Sequence, residues 1–227
     1  MSKQKIFIAC DTNSPLKLNK IINQSKTNKL NIGYKIGLEF FLSLKGRNFI
    51  SKLKKKEIFL DLKLNDIPNT CVAAVKSLSD LQNISYLTVH INGGIEMLRA
   101  VKKSTNKKIK ILGVTVLTSF SNASIKKIGH TKSIEELVKK QASLAKIAKL
   151  DGIVCSGYEA RFIKSMCRNM EIITPGIRLA GDSKGDQKRV MTPKQAFYNG
   201  ATSIVIGRSI TKGNIKKNIQ KLIKSLN

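Results

Sequence analysis

Two kinds of apolar pattern alternate along the chain. Short runs rich in β-branched residues predict buried strands, and longer segments whose apolar residues recur every three or four positions predict amphipathic helices. The strands are predicted at residues 5–10, 32–36, 58–62, 86–90, 109–117, 152–155, 171–174 and 203–206. The helices are predicted at residues 16–26, 38–44, 69–81, 94–103, 134–150, 158–167, 193–199 and 214–226.

The order of these elements predicts the fold. The helix at residues 134–150 has the clearest pattern, because Ser133 and Glu136 have the spacing of a capping box ahead of a 3.6-residue apolar period. A strand followed by a helix, repeated eight times, fits a closed parallel barrel better than an open sheet. We therefore predict an α/β fold, a single (β/α)8 TIM barrel, with residues 1–227 forming one domain.

The composition is that of a globular protein. Of the 227 residues, 41% are hydrophobic, which suffices for a sizeable core and argues against intrinsic disorder. No apolar run approaches the ~18 residues of a membrane span, and the start of the chain leads into only a short apolar stretch. The four cysteines and two histidines lack metal-ligand spacing. We expect a soluble cytoplasmic protein with free thiols, no metal site and no membrane partner.

The chain is strongly basic. It has 42 Lys and Arg residues against 14 Asp and Glu, a formal net charge of +28, and such a charge often marks a nucleic-acid partner. However, 35 of the cations are lysines spread along the whole chain, and only 7 are arginines, the residue that base and phosphate readers prefer. A polyanion-binding protein is the alternative from another functional class. We favour solvated surface charge and predict no specific nucleic-acid partner.

Polar and charged residues gather where the predicted strands end. In a parallel barrel, the carboxyl ends of the strands and the loops after them form one face, and the chemistry takes place there. The residues at these positions are Asp11, Lys35, Gly37, Asp61, Lys63, His90, Thr118, residues 175–178, Gly207 and Arg208. The sequence therefore predicts a candidate site at this face of the barrel.

Residues 59–70 are the most informative segment. Alternation along a strand places Asp61 and Lys63 on the same face, with Asp66 just beyond in the loop. Two carboxylates and an ammonium in one small volume cost desolvation energy, which structural sites usually avoid. The alternative is a salt bridge that closes the barrel top, with Pro68 simply starting the next helix. Because perturbed titrating groups cluster at functional sites, we favour a catalytic role.

A longer motif in this segment resembles a known signature. The motif Asp61-x-Lys63-x-x-Asp66-Ile67-Pro68-Asn69-Thr70 is similar to that of the orotidine 5'-phosphate decarboxylase family. The resemblance covers almost the whole chain, in matching order and strand position, through residues 10–11, 34–37, 88–90, 117–119, 174–178, 185–187 and 205–208. It implies decarboxylation of orotidine 5'-phosphate to UMP in de novo pyrimidine synthesis, without a metal or organic cofactor.

The resemblance also implies roles for four charged residues. Lys63 would stabilise the carbanion that forms at carbon six of the pyrimidine and then protonate it. Asp61 would lie beside the departing carboxylate, where it either repels that group or orients Lys63. Lys35 would hold Asp61 and the ribose hydroxyls, and Asp11 would be a further ribose contact.

Other residues are assigned by the same resemblance. Asp66 and Thr70 would reach into the active site of a partner subunit, so an obligate homodimer with shared sites is expected. Thr118 would hydrogen-bond the pyrimidine edge. Residues 179–189 contain Gly181, Gly185 and several charged residues, a composition typical of a flexible lid, which Gln187 would help to close over the phosphate. The phosphate end would consist of Pro175, Arg178, Gln187, Gly207 and Arg208.

The sequence departs from the common family pattern at three places and leaves one close rival. Asn65 stands where His is common, Ser209 where Pro is common, and residues 91–92 where Ala-Ser is common. These changes leave the charged set intact but affect local loops. The rival is a sugar-phosphate decarboxylase or hexulose-phosphate synthase, which shares the Asp-x-Lys-x-x-Asp core and uses a magnesium-stabilised enediolate. Residues 67–70 and 175–178 favour the orotidine 5'-phosphate decarboxylase family over these sugar-phosphate enzymes.

Overall fold

The computed structural model describes residues 4–54, 56–105, 108–183, 185 and 189–226. Within these residues, eight parallel strands follow one another around a closed barrel, and the last pairs with the first. The strands are β1 (Lys5–Ala9), β2 (Asn31–Gly37), β3 (Ile58–Leu64), β4 (Ile84–His90), β5 (Lys110–Val114), β6 (Gly152–Val154), β7 (Glu171–Ile177) and β8 (Ser203–Ile206). This confirms the predicted TIM barrel.

Helices surround the barrel. The described α-helices are α1 (Pro15–Gln24), α2 (Leu38–Phe41), α3 (Gly46–Ser51), α4 (Pro68–Lys76), α5 (Gly94–Ser104), α6 (Asn122–Lys127), α7 (Ile134–Ile147), α8 (Ala160–Met166), α9 (Pro193–Tyr198), α10 (Arg208–Thr211) and α11 (Ile215–Leu226). The capping box of Ser133 and Glu136 is present at the start of α7, and Pro68 occupies the first turn of α4, as predicted. None of the helices in the described ranges is both long and apolar enough to cross a membrane.

Several predicted boundaries are wrong, and each error has a structural reason. Strand β5 ends three residues before the predicted position, because the chain then leaves the sheet and residues 116 and 117 line a cavity. Strand β7 runs three residues further than predicted, through an irregularity in its pairing with β8. The short helices α3, α6 and α10 were not predicted, since helices of four to six residues carry little periodic signal.

Strand alternation separates two cores. Outward side chains such as Ile8, Ile36 and Leu60 are fully buried beneath the helices. Inward side chains form a second cluster that fills the barrel, with Phe7 and Phe59 in edge-to-face contact at a centroid distance of 5.2 Å. Gly33 makes room for this contact, because a Cβ there would lie 2.6 Å from the Phe7 ring. The filled lower barrel is followed by a cavity near the carboxyl ends of the strands.

Candidate active site

Asp61 and Lys63 meet at the upper end of the barrel, as alternation along β3 predicts. The Lys63 Nζ donates to Asp61 Oδ2 at 2.8 Å. The other carboxylate oxygen, Oδ1, accepts from the Thr88 hydroxyl of the neighbouring strand at 2.9 Å. The Asp61 side chain is only 11% exposed, whereas that of Lys63 is 35% exposed. Asp61 is therefore fixed from below, and the ammonium of Lys63 faces the open end of the barrel.

The backbone at Lys63 has an unusual conformation. Its φ angle is +49°, in the left-handed region that non-glycine residues rarely adopt. The pairing of β3 with β4 is irregular between Leu60 and Leu64, and the Lys63 N–H donates to the Thr88 hydroxyl at 2.8 Å instead of to a strand carbonyl. Strain of this kind persists where surrounding contacts impose it, and it is concentrated at functional sites. Thr88 thus holds both the Asp61 carboxylate and the Lys63 backbone.

Lys35 extends the charged cluster towards β1. Its Nζ lies 3.4 Å from Asp61 Oδ2 and 3.1 Å from Asp11 Oδ1, and its side chain is 13% exposed. The predicted contact between Lys35 and Asp61 is therefore present. Asp11 is more exposed than Asp61 and lies at the rim of the cavity. The result is a chain of alternating charges, Asp11, Lys35, Asp61 and Lys63, across three neighbouring strands.

The charges in this cluster stabilise one another. Burial alone would raise the pKa of the Asp61 carboxyl, but Lys35, Lys63 and the donated hydrogen bonds outweigh it, and the pKa lies below its ordinary value. Burial would likewise lower the pKa of Lys35, but Asp61 and Asp11 reverse the direction and raise it. Both groups are therefore ionised at neutral pH. The cluster presents fixed charges to whatever enters the cavity.

The lowered pKa of Asp61 predicts a pH-dependent stability. A carboxyl whose pKa is lower in the folded state stabilises that state above the unfolded-state pKa of about 3.9, and this stabilisation disappears as the pH falls through the folded-state pKa. We expect the free energy of unfolding of the wild type, relative to Asp61→Asn, to fall between pH 5 and pH 3 by up to about 1 kcal/mol, the limit that an unfolded-state pKa of about 3.9 sets. Urea titrations of both proteins across this range measure the difference. A difference that stays constant with pH would contradict the assignment.

A cavity of about 590 Å³ opens above this cluster. One wall is charged and contains Asp11, Lys35, Asp61 and Lys63. The opposite wall is mostly apolar and comes from the ends of β5 and β6 and the loop after β5. Its members are Val114, Val116, Leu117, Thr118, Ser119, Val154 and Cys155. Thr118 thus lines the cavity on its mostly apolar side.

The third side of the cavity is cationic. Arg178 follows β7 and Arg208 follows β8, and both line the cavity with Pro175, Gly176 and Gly207. Burial and the neighbouring charge of Arg208 lower the pKa of Arg178. Gly176 has a φ of +77°, which glycine adopts without strain, at the irregular end of β7 before Arg178. Two guanidinium groups held together despite their repulsion favour an anion between them, and a phosphate suits their paired donors.

Two predicted site residues in the described chain are not part of this cavity. Asp66 and Thr70 are exposed and do not line it. The Asp66 Oδ1 instead accepts from the Ile67 N–H at 2.7 Å, because the loop turns away from the barrel after β3. The spacing-based grouping of Asp66 with Asp61 and Lys63 is therefore not present within one chain. Gln187 lies outside the described residues.

The departures from the family pattern have local partners. The Ser209 hydroxyl accepts from the Leu179 N–H at 3.3 Å, so it links the segments after β7 and β8. Asn92 accepts from Gln141 of α7 at 2.8 Å. Asn65 is exposed and its side chain lies against Gly93. These contacts leave Asp61, Lys63 and the two arginines in place.

Sequence reasoning gave no role to Thr88, although it is fully buried and holds the central carboxylate. Strand alternation could have indicated it, because it places Thr88 on the inward face of the strand next to β3. The apolar lining by Val116, Leu117 and Cys155 was also missed, because those residues resemble ordinary core positions. The fold and cavity together define a class, a (β/α)8 barrel of enzyme type with a charged cluster at one wall and a site for an anionic group at another.

Comparison with known proteins narrows this class. The chain belongs to the orotidine 5'-phosphate decarboxylase / HUMPS family, which it matches over residues 4–221. It is 42% identical to the orotidine 5'-phosphate decarboxylase of Fusobacterium nucleatum subsp. nucleatum, with 99% of this chain and 96% of that protein covered. The corresponding protein of Wolbachia sp. subsp. Brugia malayi is 43% identical, with 96% of each chain covered.

A solved structure agrees with these sequence relationships. The crystal structure of orotidine 5'-phosphate decarboxylase from Lactobacillus acidophilus superposes with a TM-score of 0.84 at 31% identity. The superposition covers 99% of this chain and 100% of the other. The resemblance seen in the motifs therefore extends to the entire fold.

Proposed function

We propose that this protein decarboxylates orotidine 5'-phosphate to UMP in pyrimidine biosynthesis. The observation that carries the proposal is the placement of the Asp61–Lys63 pair and the Arg178–Arg208 pair at separate walls of one cavity. A nucleotide has the matching layout, with a phosphate at one end and a reactive ring at the other. The close relatives that bear this enzyme name support the same reaction.

The cavity suggests how each part of the substrate binds. The phosphate would lie between Arg178 and Arg208, near Gly207, where paired donors match its oxygens. The ribose hydroxyls would face Asp11 and Lys35. The pyrimidine would rest against Val116 and Leu117, with Thr118 at its edge. We also propose that Gln187 and Pro175 complete the phosphate end.

In this proposal, Lys63 carries the chemistry. When the bond between carbon six and the carboxylate breaks, its electron pair remains on carbon six as a vinylic carbanion that the ring does not delocalise. A positive charge already in place stabilises the transition state more than the neutral ground state at that carbon. Lys63 Nζ would provide this charge and then donate a proton to carbon six, which gives UMP. The reaction releases CO2 and adds one proton to carbon six, so it requires no oxidant and no cofactor.

Asp61, Thr88 and Lys35 would maintain this arrangement. Asp61 binds the Lys63 ammonium at 2.8 Å, and Thr88 and Lys35 bind Asp61 in turn. Because these contacts exist before substrate enters, little reorganisation is needed at the moment of reaction. Asp61 would be a catalytic residue through its position next to the substrate carboxylate, and Lys35 through its contact with the ribose.

The test of this proposal is the identity of the products and their metal dependence. The protein is incubated with orotidine 5'-phosphate, and with a hexulose phosphate as the rival substrate, with and without EDTA. We expect equal amounts of UMP and CO2 from the nucleotide, unaffected by EDTA. Two ammonium groups, those of Lys35 and Lys63, lie within 3.4 Å of Asp61 Oδ2 and would repel a magnesium ion at this carboxylate. EDTA-sensitive conversion of the sugar phosphate alone would overturn the proposal.

We also propose that two chains form a homodimer with shared sites. Asp66 and Thr70 are exposed at the start of α4, beside Ile67, whose side chain is 66% exposed. Leu38 and Leu42, after the neighbouring strand β2, are exposed as well. Exposed apolar side chains around a polar motif favour a protein interface. In such a dimer, Asp66 and Thr70 would contact the substrate of the partner subunit.

Shared sites predict complementation between inactive variants. Lys63→Ala and Asp66→Ala proteins, each inactive alone, are mixed under conditions that allow subunits to exchange. One of the two sites in a hybrid dimer would contain both native residues, so activity should rise to about a quarter of the wild-type value, because random exchange makes half the dimers hybrids. Steady-state assays after mixing measure the recovery. No recovery despite demonstrated exchange would refute site sharing.

The remaining proposals concern setting and partners. We propose that residues 1–227 act as one domain in the cytoplasm, without a specific nucleic-acid or membrane partner. The four cysteines are buried and unpaired, as thiols in a reducing compartment are. The positive charge would help to attract an anionic nucleotide.

A further inference from the structure

A buried ion pair lies next to the cavity but outside the proposed catalytic cluster. Arg189, in the loop between β7 and α9, forms an ion pair with Glu159, which precedes α8. The Glu159 side chain is 5% exposed and that of Arg189 is 16% exposed. A buried pair costs desolvation energy, and removing one partner leaves an uncompensated charge. A pair with this cost next to the cavity suggests that it has a function there.

The pair holds the loops after two different strands. Arg189 Nη2 donates to the carbonyl oxygens of Val116 and Leu117, each at 3.4 Å. Glu159 Oε2 accepts from the Ser156 N–H at 2.8 Å. Val116 and Leu117 belong to the apolar wall of the cavity and lead directly into Thr118. The guanidinium thus fixes the backbone of that wall from behind.

The same loop is attached to the cationic end by its backbone. Met191 donates to the Gly176 carbonyl at 3.2 Å, and its own carbonyl accepts from the Arg178 N–H at 3.0 Å. These two hydrogen bonds do not involve the Arg189 side chain. Removal of that side chain should therefore loosen the apolar wall and leave the cationic end, with Arg178 and Arg208, in place.

We propose that Arg189, paired with Glu159, is a positioning residue that holds residues 116–118 in register with the pyrimidine of the substrate. The inference rests on the proposed function, since it assigns that wall to the base. Arg189 touches no part of the substrate in this arrangement. Its effect passes through the carbonyls of Val116 and Leu117 to the neighbouring Thr118.

The test compares two ligands that differ by the base. UMP and ribose 5-phosphate are measured as inhibitors of the wild type, of Arg189→Met and of Arg161→Met. Arg161 is exposed on α8 and serves as a matched control for the substitution. We expect UMP to bind at least about tenfold more weakly to Arg189→Met, because the charged guanidinium no longer holds the carbonyls of the wall. Binding of ribose 5-phosphate should change less than about twofold, and Arg161→Met should resemble the wild type.

A general loss of structure would give a different result, since the affinities for UMP and for ribose 5-phosphate would then both fall. That outcome, or unchanged UMP binding, would overturn the proposal. If Arg189→Met does not fold, Arg189→Lys keeps the charge but lacks the forked donors, and the same selective loss is expected of it. If the wild type decarboxylates orotidine 5'-phosphate but Arg189→Met shows no selective loss of UMP binding, the proposed function stands and only the role of Arg189 fails. A wild type without that activity would overturn the function and this role together.

A second variant tests whether the pair acts as a unit. Glu159→Gln retains an acceptor for the Ser156 N–H but removes the charge opposite Arg189, so it should show the same selective loss of UMP binding. The double variant Glu159→Gln/Arg189→Met should bind UMP within about twofold of Arg189→Met alone, because coupled residues are not additive. Full additivity of the two losses would show that the residues act independently and would contradict the pairing.

Discussion

Replacement of Lys63 by alanine is expected to lower kcat by about 10⁴-fold or more. The substitution removes a positive charge next to carbon six, and a preorganised charge of this kind is worth about 10²–10³-fold. It also removes the proton donor, and proton transfer by a positioned side chain contributes about 10²–10⁴-fold. Steady-state turnover of orotidine 5'-phosphate measures the loss. UMP should still bind, because the arginine end is untouched.

The chain offers a close control for this variant. Lys149 is the other described non-glycine residue with a positive φ, at +56°, and it lies outside the cavity. Lys149→Ala therefore makes the same chemical change on a similarly strained backbone. We expect its kcat to match that of the wild type. A Lys63→Ala protein that is folded and retains kcat within tenfold of the wild type would remove Lys63 from the proposed mechanism.

Replacement of Arg208 by alanine is expected to lower kcat/KM by about 10²- to 10³-fold, the effect of losing charge-assisted hydrogen bonds to a partly buried anion. The binding energy of the phosphate should be realised at the distant reacting carbon, as remote binding energy is in other enzymes. The nucleoside orotidine, which lacks the phosphate, should react poorly with both the wild type and Arg208→Ala. The ratio of nucleotide to nucleoside kcat/KM should therefore fall sharply in the variant.

Arg99→Ala is the matched control, because Arg99 is exposed on α5 and away from the cavity. Its kcat/KM should be that of the wild type. An unchanged kcat/KM in Arg208→Ala would mean that the phosphate does not bind between the two arginines. The orientation of the whole substrate would then need revision, since the ribose and base positions follow from that end.

The sequence predicted the elements that depend on local pattern. Strand alternation placed Asp61 and Lys63 on one face, and the structure joins them by a 2.8 Å hydrogen bond. It did not predict the irregular pairing that gives Lys63 its positive φ, because that feature depends on a hydrogen bond to Thr88 of another strand. The inward-facing pattern of β3 survives this irregularity.

Contacts between distant segments were the least predictable part of the site. The pair of Glu159 and Arg189 joins residues 30 positions apart, and neither lies in a strand. Spacing also did not predict the direction of the Asp66 side chain, because a residue beyond the end of a strand has no fixed orientation. It is exposed here, and the proposed dimer gives it a role that no single chain displays.

The most direct test of the proposed function is the ultraviolet absorbance of orotidine 5'-phosphate after addition of the purified wild-type protein in EDTA. We predict a rapid and complete fall to the spectrum of UMP. Heat-denatured protein in the same buffer should give no change. No fall in absorbance with folded, dimeric protein would contradict the account, and it would direct attention to magnesium and sugar phosphates as the alternative chemistry of this barrel.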